Sequence, residues 1–391
     1  MTKPVYITHA YRTPIGNLMG GLSTLSAVDL GVIVTKHIIE QSKIDSAFIS
    51  EVIMGQVLTG GAGQNPARQT LVNSGIPYHV PAFTVGKVCG SSLKAIALAY
   101  ESILAGNSEI VIAGGQESMS RAMHASYIRS GIKAGDMKMV DMMMYDGLTD
   151  VFSGQGMGIT AENIASKFGI SREQQDAFSV ESHRKSAIAQ NSGRFDDEII
   201  PVKLISKKEE IIISKDEFIK PQTSMETLAK LRPVFLENGT VTAGNSSGIN
   251  DGAAAIMVAS EEAVKKYNLI PIGKIKSYAR VGVDPSIMGV GPVSSTKMAA
   301  EKAGWQLDDV DLFEVNEAFA SQSAYVVKEL GIDPLKVNVN GGAVALGHPI
   351  GASGARVVVT LLHEMQKRKV QKGIASLCIG GGMGISMGFE G

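Results

Sequence analysis

Two cysteines, a histidine in a glycine–proline turn and an asparagine behind a strand are the side chains of this sequence best placed to do chemistry. The chain has only two thiols, Cys89 and Cys378. Cys89 sits in Lys87-Val88-Cys89-Gly90-Ser91-Ser92-Leu93, just where a helical apolar stripe begins. A helix start presents free N–H groups and partial positive charge, and both lower a thiol's pKa and favour the nucleophilic thiolate. The small residues that follow leave room for a substrate carbonyl. A buried structural cysteine accounts for this segment equally well. Cys378 closes a strand-like run, Ile374–Ile379, and Gly380-Gly381-Gly382 follow. The C-terminal end of a strand is where α/β sites form, although a core cysteine would read the same way. His348 lies in Gly347-His348-Pro349-Ile350-Gly351 and Asn316 in Glu314-Val315-Asn316-Glu317-Ala318-Phe319. Taken singly, the first is a turn histidine and the second a helix N-cap.

Taken together, these groups define a chemistry. A thiolate accepts an acyl group from a thioester, and an imidazole activates it and stabilises an oxyanion. A second thiol of tuned pKa moves a proton at carbon. Acyl transfer joined to carbanion chemistry is a Claisen condensation or its reverse.

Such groups need rigid elements to hold them. Glu51–Val57 is strand-like. Residues 93, 96, 97, 100, 103 and 104 form a helical stripe, and Glu109–Ala113 is an apolar strand expected to end at Gly114-Gly115. Residues 347–381 repeat this plan: a glycine-rich turn over 347–354, a helix near Ala355–Gln366 and a strand at Ile374–Ile379. The alternation implies an α/β fold with a buried sheet and two similar halves that pack together. In that arrangement the starts of the two helices face one cleft. Between the halves the composition shifts. Five methionines cluster at 137, 139, 142, 143 and 144, a helix with a Ser171/Gln174 capping box is expected over Glu173–Gln190, and Lys203–Lys220 mixes lysines with acids. The middle segment reads as an inserted, partly irregular domain.

Other chemistries are excluded. The net charge is −1, so the basic excess of a nucleic-acid or anionic-membrane binder is missing. Two cysteines rule out a disulfide scaffold, and the seven histidines show no ligand spacing, so no metal is expected. No GxxxxGK[ST] or GxGxxG fingerprint occurs. Gly244-Asn245-Ser246-Ser247-Gly248 fits GxSxG, but a nucleophile elbow needs a helix straight after its serine, and Ala253–Val258 reads as a strand. No leader or apolar span is visible, so a cytoplasmic location is expected.

The ordered set of segments resembles the thiolase family over essentially the whole length. Arg12–Gly16 resembles its opening, and Val85–Ala95 its nucleophile segment. Thr242–Ala253, Asn316–Phe319, Asn340–Arg356 and Cys378–Gly382 resemble its remaining signatures, and Met142–Asp150 its short-chain branch. The resemblance implies a five-layered αβαβα fold. Residues 1–118, completed by 249–270, would form one half, 119–248 a loop domain covering coenzyme A, and 271–391 the other half. It implies reversible condensation of two acetyl-CoA molecules through an acyl-Cys89 intermediate. His348 would activate Cys89 and, with a water held by Asn316, form one oxyanion hole. Cys378 would be the acid/base at the second α-carbon, and the N–H groups of Cys89 and Gly380 the other hole. Leu148, Met157, Lys220, Phe235, Ala243, Ser247, Met288, Ala318 and Phe319 fall where the family contacts coenzyme A or lines the acyl pocket. Coenzyme A thioesters would be substrates with no permanent cofactor, and a homo-oligomer, tetramer or dimer, is implied.

There are departures from the family pattern. Gly86 stands for asparagine, Ser92 for glycine, Ser246 for alanine and Lys220 for arginine. Gly156 stands for the histidine that precedes the methionine in the acetoacetyl-specific branch, which enlarges the pocket or removes a polar contact. Rival readings are a thiolase of longer chain length, a decarboxylating ketoacyl synthase, against which Cys378 argues, and a non-catalytic acyl-CoA binder.

Overall fold

The computed structural model describes residues 3–206 and 209–391, so Lys207 and Lys208 of the mixed-charge segment lie outside the described residues. Its main element is a ten-stranded sheet. From one edge to the other the strands run Leu312–Val315, Lys372–Ile379, Met383–Glu390, Gly273–Gly282, Val5–Arg12, Asn250–Ser260, Ile110–Ser118, Glu51–Gly55 and Ala82–Val85, and Gly16–Asn17 pairs aside with Asn250–Asp251.

The two ends of this order match. Outward from Val5–Arg12 the first three pairings are antiparallel, antiparallel and parallel, and a fourth, parallel, adds Ala82–Val85. Outward from Gly273–Gly282 the three pairings follow the same order. The halves meet where Val5, Tyr6 and Ile7 pair antiparallel with Ile275, Lys274 and Gly273. A repeated strand order about an antiparallel seam is a pseudo-two-fold arrangement, as the repeated sequence plan implies.

Two helices, Ser91–Leu104 and Ser353–Arg368, occupy equivalent places and pack on each other and on strands of both halves. They form a middle layer. One apolar core joins them to both halves, with Leu93 and Ile96 from the first helix, Val357 and Leu361 from the second, and Val258, Leu377 and Ile385 from the strands. The outer faces are covered separately, by Ala27–Ser42 on one half and Gly291–Ala303 on the other. Helix, sheet, helix, sheet, helix is the five-layer order. Strands buried on both faces read as continuous apolar runs, and every residue of Ile110–Ser118 and Asn250–Ser260 is buried.

The strand expected to end at Gly114-Gly115 continues to Ser118. The glycine pair marks close approach, not a turn: a Cβ on Gly115 would lie 2.1 Å from the Gly351 carbonyl and 2.7 Å from Ser92 Cβ. This lets the starts of both middle helices settle on the strand.

Between Ile110–Ser118 and Asn250–Ser260 the chain forms the helices Met157–Phe168 and Arg172–Asn191 and two small hairpins. The capping box at Ser171 and Gln174 is present. Buried Arg12 ties this region to the sheet, donating to Glu198 at 2.6 Å and to both oxygens of Asp216 at 2.7 and 2.9 Å. Among the described residues no helix is long and apolar enough to cross a membrane.

Candidate active site

Cys89 sits in a short 3-10 turn, Val88–Gly90, that runs into the helix Ser91–Leu104. Val88 adopts φ +46°, an uncommon and costly conformation for a β-branched residue. Ser91 stabilises the turn: its hydroxyl donates to Val88 O at 2.6 Å and accepts from Lys87 N–H at 2.8 Å. Two backbone N–H groups, its own and that of Gly380, point at the Cys89 sulfur. They do not make it acidic. Burial dominates and pushes the thiol up to about 11, which corrects the expectation that the helix start lowers it. At pH 7 only roughly one molecule in 10⁴ would then carry the thiolate, so nucleophilic attack needs an adjacent base.

His348 can be that base. It begins the equivalent turn ahead of Ser353–Arg368 and is buried. Its backbone N–H is held by Asn250 Oδ1 at 3.0 Å. On its ring, Nδ1 lies 2.5 Å from Ser353 Oγ, and Ser353 in turn donates to Pro349 O at 2.8 Å. A hydroxyl has one proton. Ser353 spends it on the carbonyl and accepts from Nδ1–H, which leaves Nε2 as a bare lone pair. Nε2 has no partner. Burial, then the charge of Arg356, lowers the imidazole to about 3, so it is neutral and proton-accepting at pH 7.

Cys378 is fully buried at the end of Lys372–Ile379, packed with Met288 and Ala318 and bordered by Met157 and Phe319. Burial raises its thiol well above the ordinary value, and the nearby charge of Cys89 raises it further. The two thiols therefore feel each other and resist ionising together. Asn316 is also fully buried, and among the described residues neither its Oδ1 nor its Nδ2 is partnered. It does not cap the next helix, whose N-cap is Phe319. A buried carboxamide with both ends free is built to hold a small polar group.

His348 lines a cavity of about 470 Å³, and the two thiols lie behind its wall: Cys89 packs with the lining residues Met119, Leu148 and Ile350, and Cys378 with Met157 and Phe319. Of the sequence-nominated binding residues, Leu148, Met157, Lys220, Phe235, Ala243, Ser247 and Phe319 line it, as does His348. Met288 and Ala318 instead pack around Cys378. Ser247 N–H donates to Ala318 O at 3.0 Å, joining two of the signature segments. Lys220 Nζ lies 4.6 Å from the centre of the Phe218 ring. Gly156 lines the cavity and faces Phe235, where a Cβ would meet the ring in ordinary van der Waals contact at 3.7 Å. Ser92 does not border the cavity: its hydroxyl accepts from Ala355 N–H at 2.9 Å and joins the middle helices. The GxSxG serine, Ser246, donates to Thr242 O at 2.8 Å and precedes a strand, so no elbow forms. Ser353 and Asn250 were not singled out from the sequence, although both lie inside quoted segments. Met119 and Ile350, which pack on Cys89 with Leu58, carry no sequence signal beyond being apolar.

The five-layer fold is that of an acyl-transfer protein. Residues 5–262 match the model of "Thiolase, N-terminal domain" and residues 269–391 that of "Thiolase, C-terminal domain". The chain belongs to the thiolase family. It is 54% identical over 388 residues to acetyl-CoA acetyltransferase of Chromobacterium violaceum, covering 99% of each chain. It is 52% identical over 390 residues to the protein of that name from Paracoccus denitrificans, covering 100% of each. Among solved structures, acetyl-CoA acetyltransferase of Bacillus anthracis superposes with TM-score 0.97 at 41% identity, covering 100% of this chain and 99% of that one. Human mitochondrial 3-ketoacyl-CoA thiolase in complex with CoA gives 0.96 at 41%, covering 100% and 98%.

Proposed function

We propose that this thiolase condenses two acetyl-CoA molecules reversibly to acetoacetyl-CoA and CoA. The observation that carries the reading is two buried thiols and a buried imidazole gathered about one cavity, the imidazole with no partner for its Nε2 among the described residues. Full-length relatives named acetyl-CoA acetyltransferase support the substrate. His348 Nε2 takes the Cys89 proton as the sulfur attacks the thioester carbonyl. The carbon–sulfur bond to CoA breaks, and the departing sulfur takes the proton of Cys378. The Cys378 thiolate then removes an α-proton from the second acetyl-CoA. Its raised pKa makes it a stronger base, as a weak carbon acid requires. The carbanion attacks the acyl-Cys89 carbonyl, and the Cys89 sulfur leaves and recovers its proton from His348. A water on Asn316, with His348, answers one oxyanion, and the N–H groups of Cys89 and Gly380 answer the other. Leu148, Met157, Phe235, Ala243, Ser247 and Phe319 enclose the pantetheine arm, and Lys220 meets a phosphate.

Acid-quenched mass spectrometry after mixing with acetyl-CoA tests this. Wild type should gain one acetyl group on Cys89, Cys89→Ser none, and Cys378→Ser one acetyl group with no acetoacetyl-CoA formed. A stable adduct elsewhere on Cys89→Ser would refute the reading.

Gly156 in the cavity wall, where a larger side chain would project toward Phe235, favours a second reading, a thiolase accepting longer chains. Thiolysis rates across 3-ketoacyl-CoA lengths separate the two. If the space is used, Gly156→His should cut activity on a six-carbon substrate on the order of tenfold and leave acetoacetyl-CoA near wild type. A cytoplasmic homo-oligomer belongs to the same proposal. Exposed Tyr127, Ile128, Ile132, Met137 and Met139, gathered in one excursion between short strands, support association.

A further inference from the structure

The strand Ile110–Ser118 carries near its end a carboxylate that the chemistry above does not use. Glu117 is fully buried. Its Oε2 accepts Val57 N–H at 2.9 Å and Gly351 N–H at 2.9 Å, and its Oε1 accepts Leu58 N–H at 3.2 Å. No cation answers it among the described residues; the charged group acting on it is Asp251, itself an acid. The three N–H groups belong to two different walls of one chamber. Leu58 packs on Cys89 together with Met119 and Ile350. Gly351 follows Ile350, three positions after His348. Glu117 thus bridges the segment behind the nucleophile and the turn that carries the imidazole. The fit is close on both sides: a Cβ on Gly351 would lie 2.6 Å from Glu117 Oε2 and 2.9 Å from Gln56 Cα.

We propose that Glu117 is a positioning residue for acyl transfer, its carboxylate setting the separation of the His348 turn from Cys89 through Val57, Leu58 and Gly351. The proposal rests on the thiolase reading above. Only an ionised carboxylate offers acceptors alone. Protonation, or replacement by a carboxamide, aims a donor at an N–H and opens the bridge. Burial pushes the Glu117 carboxyl up to about 7, against the three N–H groups that favour its charge, so the bridge gives way as pH falls through neutrality. The groups facing it or the chamber are Asp251, Cys89 and His348. The last two, at about 11 and about 3, do not titrate near pH 7.

Single-turnover acetylation of Cys89 by acetyl-CoA, followed by rapid quench and mass spectrometry from pH 6 to 8, tests this. Wild-type rates should rise with pH across that range. Glu117→Gln should be slower on the order of 10²-fold and flat with pH, because a small misplacement of reacting groups costs about that much, while half-saturation stays within about threefold. Gly351→Ala disturbs the same contact from the other side and should reproduce the slower rate, and Glu117→Asp should recover part of the loss. If Glu117→Gln does not fold, the latter two variants decide. Wild-type acetylation rates in folded variants, or losses confined to melting temperature or half-saturation, would overturn the positioning role alone. Absence of acetylation in wild type would overturn both readings.

Discussion

The two helices of the middle layer begin in equivalent turns, and the turns have been fitted for opposite duties. The first places a thiol on a strained residue, Val88, and clamps the backbone with Ser91. The second places an imidazole between Gly347 and Pro349 and clamps its ring with Ser353. In both a serine hydroxyl accepts from an N–H and donates to a carbonyl. At Ser91 both partners are backbone, so the hydroxyl fixes a conformation. At Ser353 one partner is the histidine ring, so the hydroxyl fixes a tautomer. One supersecondary unit used twice supplies an acid that is hard to ionise and a base that is hard to protonate. Burial makes both so, and the resting pair is therefore neutral, with the proton on sulfur.

The contrast can be broken first at the imidazole. His348→Ala removes the only group assigned to take the Cys89 proton, and the rate of Cys89 acetylation should fall on the order of 10³-fold, with the serine turn around Cys89 unaffected. A smaller effect is expected of Ser353→Ala. The ring loses its tautomer-fixing partner but keeps its place through Asn250, so acetylation should slow about tenfold, equivalent to about 1.4 kcal/mol; a rate equal to wild type would mean that the tautomer is set elsewhere. The smallest effect is on stability. The folded pKa of His348 is lowered from its ordinary 6.5 to about 3. Its contribution to stability is therefore full above pH 6.5 and is lost as pH falls toward 3. The slope contributed by one such group approaches about 1.4 kcal/mol per pH unit. Denaturant melts between pH 7 and 4 should show a shallower acid loss for His348→Asn than for wild type. His183, lowered to about 4, acts in the same sense in both proteins and cancels in the comparison.

Much of the candidate site was legible because each nominated residue stands at a glycine-rich junction: Cys89 between a strand and a helix, His348 between two helices, and Cys378 at the end of one strand ahead of the next. Cys89, His348 and Cys378 announce themselves by type and neighbourhood, and the repeated plan implied the two-half sheet. What sequence spacing could not carry was burial. The helix-start argument for an acidic Cys89 is sound for an exposed thiol and fails for an enclosed one. The Gly114-Gly115 pair read as a stop because a glycine that ends a strand and a glycine that admits a neighbour look alike along the chain. Glu117 was invisible for a related reason: its three partners lie 60, 59 and 234 positions away, and no local pattern marks a carboxylate that serves only backbone N–H groups. Arg12, bonded to Glu198 and Asp216, is another such long-range anchor.

The seam between the halves spans three residue pairs, Val5–Ile7 with Gly273–Ile275, while the apolar core beneath it is common property of both middle helices. Neither half can therefore be a minimal unit. A chain severed between Tyr267 and Gly273 would leave one fragment with the thiol of Cys89 and the other with His348 and Cys378, each exposing half of a shared interior. Activity in such a split protein would demand reassembly, which makes catalysis itself a report on whether the whole interior has closed.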